Sequence, residues 1–366
     1  MTRQPFPKLL RPFVALLLGI ATILMLAAPS FAQKAKEVRR APRSRNVEKT
    51  FRARSYPGSG NRTYNVHLPS NYNPAETLPL VMVLHGCLEQ GSPDNLPLFP
   101  WVESIERDSK FDDIADQERF IVVYPNHKWD PLSGALPLCW EFWEEAHGNH
   151  RGQGDVADLA EIVKEVQKDY KVDPNRIHIA GLSSGAAMTV AALVAYPDVF
   201  ASGSPTAGVP YGETKADFTA GAFKPVDDIV TEMKAEMDGR MRPVPIFIIQ
   251  SEADDTVKFQ YAENIRDSWG KAFGVDMQHP ISSESGETKG TSWTHTKYGK
   301  GPDGNTVVET LIIHPRPDGG LKQGWYGGGD GQCAFSNAPN TAQLAWEFFK
   351  AHPLHRCPCP IQPPPK

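Results

Sequence analysis

The chain has 366 residues, 40% of them apolar and 22% charged, with a formal net charge of −5. This length suits one large domain or two small ones, and the composition is that of an ordinary soluble globular protein. No fixed period of self-similarity runs through it, which excludes a repeat architecture.

The first segment reads as an address, separate from the fold. Arg3, Lys8 and Arg11 form a basic start, Phe13 to Ala28 is almost wholly apolar, and Ser30-Phe31-Ala32 places small residues at a cleavage site. This predicts a secretory signal over residues 1–32. The rival reading is a membrane anchor, because the apolar run approaches the length that spans a bilayer. No later segment is long and apolar enough to do so. Residues 1–32 carry three positive charges and no negative one, so their removal takes the net charge to −8. Residues 33–55 hold nine Lys/Arg and two Glu. With almost nothing apolar to bury, they are expected to be a disordered basic arm. Contact of that arm with an anionic surface or a nucleic acid is the weaker reading.

Past the arm, "RTYNVHLPSNY" alternates like a strand and ends in turn residues. "LPLVMVLHG" (78–86), "FIVVYPN" (120–126), "RIHIAGLSSG" (176–185), "VPIFIIQS" (244–251) and "TVVETLIIHP" (306–315) are apolar runs suited to strands buried on both faces. Between them, Leu159, Ile162, Val163, Val166 and Tyr170 recur at helical spacing. "NTAQLAWEFFKAH" (340–352) opens with Asn340 as an N-cap. Strands alternating with helices predict a mainly parallel central sheet with helices on both faces. One domain is expected over 56–352. The tail from 353 to 366, rich in Pro and Cys, is expected to be extended.

Gly181-Leu182-Ser183-Ser184-Gly185 is a G-x-S-x-G between a strand-like and a helix-like run. Acyl transfer explains its glycines: a serine presented on a sharp strand-to-helix turn leaves no room for side chains two residues either side. The following helix aims backbone donors at a developing oxyanion. "VMVLHGCLEQ" fits the loop that supplies the second donor, with His85-Gly86 turning the chain and the Cys87 amide facing the carbonyl beside that of Ser184. His85 as general base is disfavoured, since it precedes the nucleophile. In "QSEADDTVKF" a carboxylate follows a strand; Asp254 is the expected triad acid, with Asp255 the alternative.

These pieces resemble the secreted poly(3-hydroxybutyrate) depolymerase-like esterases of the α/β-hydrolase fold. "LHGCLEQ", "FIVVYPN", "CWEFW" with "RGQGD", "KDYKVDPNRIHIAGLSSGAAM" and "AGVPYG" carry the resemblance, in order, over roughly residues 60–260. It implies Ser183 as nucleophile, Asp254 as acid, Cys139-Trp140 beside the acyl site, and hydrolysis of short acyl, hydroxyalkanoate or phenolic esters. It also implies an imidazole two residues before a tryptophan in a Gly-rich segment. Here that segment is "DGGLKQGWYGGGDG" (318–331), and Gln323 precedes Trp325. Glutamine has no titratable nitrogen and cannot act as a base.

His314, at the end of its strand and after Asp254 in chain order, is the expected substitute. His295, His147 and His150 come next, and His352 and His355 are read as surface residues. Trp140, Trp143 and Trp325 suggest a flat apolar or sugar-like ligand, or simply core packing. Among the five cysteines, Cys87 and Cys139 are expected to pair around the site, and Cys357 or Cys359 to clip to Cys333. Connectivity does not follow from sequence. The tail's C-x-C has no partner pair at zinc spacing. The expectation is a secreted serine ester hydrolase, periplasmic or extracellular. It would need no metal or organic cofactor, and its partner would be a small or oligomeric ester, with no nucleic acid and no membrane after signal cleavage. The alternatives are a serine peptidase and a degenerate hydrolase that binds esters or carbohydrates.

Overall fold

The computed structural model describes residues 45–87, 89–90, 103–127, 139–143, 148–300, 306–317, 319–329, 331 and 333–354. The expected signal, the first part of the arm, Cys357 and Cys359 lie outside them. Ten strands form one sheet: β1 (Arg45–Phe51), β2 (Arg62–Leu68), β3 (Leu78–Leu84), β4 (Ile121–Pro125), β5 (Val172–Leu182), β6 (Ser202–Thr206), β7 (Ile246–Ser251), β8 (Ser282–Thr288), β9 (Thr291–Tyr298) and β10 (Val308–Ile313). Their spatial order is β1-β2-β4-β3-β5-β6-β7-β10-β9-β8. The six central strands, β4 to β10 in that order, pair in parallel. The outer pairs are antiparallel. Every residue of β3, β4, β6 and β7 is buried, as strands covered on both faces must be.

The helices of eight residues or more are α1 (Phe111–Glu118), α2 (Gly154–Asp169), α3 (Ser184–Ala195), α4 (Val226–Met237), α5 (Phe259–Phe273) and α6 (Thr341–Ala351). α2 buries Leu159, Ile162, Val163 and Val166 on one face, and Tyr170 stands just past its end as the C-cap. Asn340 caps α6, its side chain accepting from the Gln343 amide. α3 is buried over its whole length. It leaves the sheet directly from β5, and its run of Gly and Ala lets it lie close against the strands. No helix among the described residues is long and apolar enough to cross a membrane.

Part of the basic arm is ordered. β1 lies inside the segment expected to be disordered, paired along its length with β2. Phe51 is fully buried, and the basic side chains meet an acidic helix: Lys49 pairs with Asp169 and Arg54 with Glu165. The segment lacks apolar residues because its outward positions complement α2 through charge. The tail also starts anchored. Leu354 is buried and its amide donates to the Asn175 carbonyl.

Candidate active site

β5 delivers Ser183 into a turn with φ 56° and ψ −119°, a region non-glycine residues rarely enter. Such a conformation costs on the order of 1–3 kcal/mol and persists only where its surroundings hold it. Here the Ser183 amide donates to the Thr206 carbonyl, while its own carbonyl starts α3 by accepting from Ala186 and Ala187. The flanking glycines are required sterically. A Cβ on Gly181 would stand 2.3 Å from the Gly185 carbonyl oxygen. One on Gly185 would stand 2.5 Å from the carbonyl oxygens of both Leu84 and His85. The first turn of α3 therefore lies directly against the end of β3 and the loop that follows it.

That loop is braced from below. Cys87 and Cys139 form a disulfide, the expected pairing. It brings Trp140 beneath His85, with ring centroids 5.1 Å apart, and the indole N–H donates to the His85 carbonyl. The His85 ring is fully buried. Its Nδ1 bonds the Gly86 carbonyl and its Nε2 accepts from the His127 amide. Burial drives the imidazole down to about 3, so it stays neutral and fixes the turn. The Trp140 amide lies 3.4 Å from Ser184 Oγ, tying this loop to the residue after the elbow. Trp140 was expected to line the acyl site. It is completely buried and presents no face to a ligand. Trp325 is likewise buried, edge-on to Phe111, as core. Trp143, packed on Phe142 and Phe218 with Lys215 above it, is only partly buried.

Asp254 follows β7 and is buried. Its Oδ1 accepts from the Thr256 and Val257 amides at 2.9 Å, and Gln250 donates to Oδ2 at 3.3 Å. Burial pushes the carboxyl above its ordinary range, against the pull of those donors. Asp255 is exposed and paired with Lys322. Ser251 donates to the Leu321 carbonyl, and the Tyr326 hydroxyl to that of Lys322. The Gly-rich segment is thus fastened over the residues flanking Asp254, and Gln323 rides on it. Gln323 Nε2 is buried without a hydrogen-bond partner.

No imidazole among the described residues hydrogen-bonds Ser183 or Asp254. His314, the expected base, is held elsewhere: Nδ1 meets Glu252 at 3.0 Å and Nε2 meets Thr294 on β9 at 2.8 Å. β10 stands three strands from β5, roughly 14 Å at ordinary strand spacing. The ring is held between Glu252, just past β7, and Thr294 on β9, and meets neither Ser183 nor Asp254. His295 pairs with Glu309 in the sheet, and His150 with Glu236. His147 and His355 fall outside the described residues.

One titratable group escaped the sequence reading. Glu213, directly after "AGVPYG", is 1% exposed, and neither carboxylate oxygen has a partner. Burial, reinforced by Asp217, raises it to about 7. An acid raised in the folded state loses stability as pH climbs from its unfolded value near 4.5, and the loss is complete above about 7. Glu213→Gln should therefore stabilise the fold by up to about 3 kcal/mol at pH 8 and change little at pH 4. Urea midpoints at the two pH values test this. An equal shift at both would show that ionisation is not the cause.

A strained serine turn on a doubly covered parallel sheet, set against a braced loop and with a buried carboxylate after the next strand but one, is the architecture of an α/β-hydrolase. The chain belongs to the esterase PHB depolymerase family, which it matches over residues 62–289. It is 28% identical over 263 residues to poly(3-hydroxyalkanoate) depolymerase C of Paucimonas lemoignei, covering 69% of this chain and 57% of that protein. It is 30% identical over 234 residues to a probable acetylxylan esterase A of Aspergillus flavus, covering 60% of this chain and 73% of that one. The chain thus spans little more than half the depolymerase. The acetyl xylan esterase of Aspergillus awamori shares the fold, with a TM-score of 0.61 and 19% identity over 83% of this chain and 99% of that one.

Proposed function

We propose that this chain is a secreted, attenuated ester hydrolase: it binds short-acyl esters and turns them over slowly. Ser183 holds the nucleophile's place, the amides of Cys87 and Ser184 receive the oxyanion, and Asp254 is the acid of the site. Gln323 stands in the base's position. The observation that carries this reading is Gln323 itself, on a segment tied to Ser251 and Asp255 and with a buried, unpartnered Nε2. Without an imidazole the serine keeps its proton, and the remaining acceleration comes from binding and the oxyanion donors, on the order of 10³–10⁴ over water. Hydroxyalkanoate oligomers and acetylated sugars, the substrates named for its relatives, are the ester classes proposed here. Export is supported by the basic-apolar-small order of residues 1–32 and by the Cys87–Cys139 disulfide. The second reading is a secreted ester-binding protein with no turnover. It is favoured by the same Nε2, a donor that a bound ester oxygen would satisfy.

Hydrolysis of p-nitrophenyl acetate separates these readings. Wild type and Ser183→Ala should turn over within a few-fold of each other, both faster than buffer, and His314→Ala should match them. A rate equal to buffer, with ester binding intact, selects the binder. A loss of 10²-fold or more in Ser183→Ala would mean that an imidazole does serve the serine, and an equal loss in His314→Ala would restore that residue as the base.

A further inference from the structure

A second polar cluster lies behind the oxyanion loop. His127 follows β4, Glu141 lies just past the Cys87–Cys139 disulfide, and Asp155 opens α2. One ligand atom from each lies within 4.8 Å of the others. The His127 side chain is only 6% exposed, yet neither ring nitrogen has a hydrogen-bond partner. A buried imidazole with both nitrogens unmet is rare and needs an explanation. Its Nε2 stands 3.5 Å from Asp155 Oδ2, beyond a good hydrogen bond. It is close to the separation of two ligands on one tetrahedral zinc, about 3.3 Å for bonds of ~2.0 Å.

The orientation of the carboxylates fits this. Arg62 is wholly buried between Asp155 and Asp158. Asp158 is saturated by Tyr56, Ser59, the Gly60 amide and Arg62. Asp155 gives Oδ1 to Arg62 and turns Oδ2 to His127 and the Glu141 amide.

We propose that His127, Glu141 and Asp155 form a zinc-binding site, with water completing the coordination. One imidazole with two carboxylates suits zinc better than calcium or magnesium, which take all-oxygen shells. Arg62 supports Asp155 from the far side, as outer partners of metal ligands do. The ion joins the end of β4, the disulfide loop and the start of α2. It therefore sits against Trp140, whose indole holds the His85 carbonyl. Its role is to brace the oxyanion loop, and it takes no part in the ester chemistry.

The test uses full-length mature protein stripped with a chelator, then titrated with zinc chloride by calorimetry and by metal analysis after dialysis. One zinc per chain is expected, with a thermal midpoint that rises with zinc concentration. Glu141→Gln and the space-filling His127→Phe should each weaken binding by about 10-fold or more, while His279→Ala, which breaks the exposed His279–Asp276 pair, leaves it unchanged. Glu141→Gln is isosteric and keeps the test valid if His127→Phe fails to fold. The proposal is overturned if the wild type retains no zinc, if calcium binds in preference, if Glu141→Gln binds as the wild type does, or if His279→Ala abolishes binding.

Discussion

Gln323→His should raise kcat on p-nitrophenyl acetate by about 10²–10⁴-fold, the usual contribution of a positioned general base. The substitution places an imidazole on a segment already fastened to Ser251 and Asp255. Asp254 is the proposed residue to orient it: Gln250, the weakest of its donors at 3.3 Å, occupies the oxygen that a ring N–H would take over. The gain should depend entirely on Ser183. Gln323→His/Ser183→Ala should fall back to the native rate, because a base without a nucleophile does nothing. Gln323→His/Asp254→Asn should lose most of the gain through the wrong tautomer. Gln323→Asn serves as the control for altered shape and should leave kcat near the native value. If Gln323→His is folded and no faster, the segment does not present residue 323 to the serine, and the attenuated-site reading fails.

The fold was legible where burial writes an apolar run. β3, β4, β7 and β10 fall within the expected stretches, β5 overlaps its own but begins four residues earlier at Val172, and the elbow stands where its glycines require. β6 was missed because "SGSPT" is buried by close packing with no large side chain to advertise it: a Cβ on Gly203 would meet the Leu193 side chain at 2.8 Å. The β8–β9 hairpin was missed because its Ser and Thr pair across the strands, Ser283 with Thr296 and Ser285 with Thr294, leaving no apolar face to read. Its turn, Lys289-Gly290 with φ of 49° and 81°, was the available signal. At the site, chain order suggested His314, but order fixes only the strand that carries a residue. The direction in which the ring leaves is set by Glu252 and Thr294. Trp140, left open between ligand contact and core packing, is buried: residue type cannot tell an aromatic that faces a ligand from one that supports the wall behind it. The cluster of His127, Glu141 and Asp155 comes from three elements that only tertiary structure brings together.

Arg62→Met should be the most destabilising change in the lower half of the site, costing about 3–5 kcal/mol. The side chain and both partner carboxylates have no exposed surface, so in chelator-stripped protein its loss leaves two buried anions facing each other without a cation. Water cannot enter to screen them without breaking the packing of Trp140, over which the guanidinium lies at 5.5 Å. The thermal midpoint should fall by roughly 10 °C, read by calorimetry. Methionine keeps the volume, which separates the charge effect from a cavity. A second substitution isolates it further. In the native background Asp158→Asn should be costly, since Tyr56, Ser59 and the Gly60 amide all donate to that carboxylate. In the Arg62→Met background the same change removes one of the stranded charges, so it should cost less or even stabilise. Strict additivity of the two changes would mean that Arg62 contributes through packing on Trp140 alone. The predicted coupling places the effect in the ion cluster, and through Trp140 and the His85 carbonyl it reaches the loop that carries the Cys87 amide.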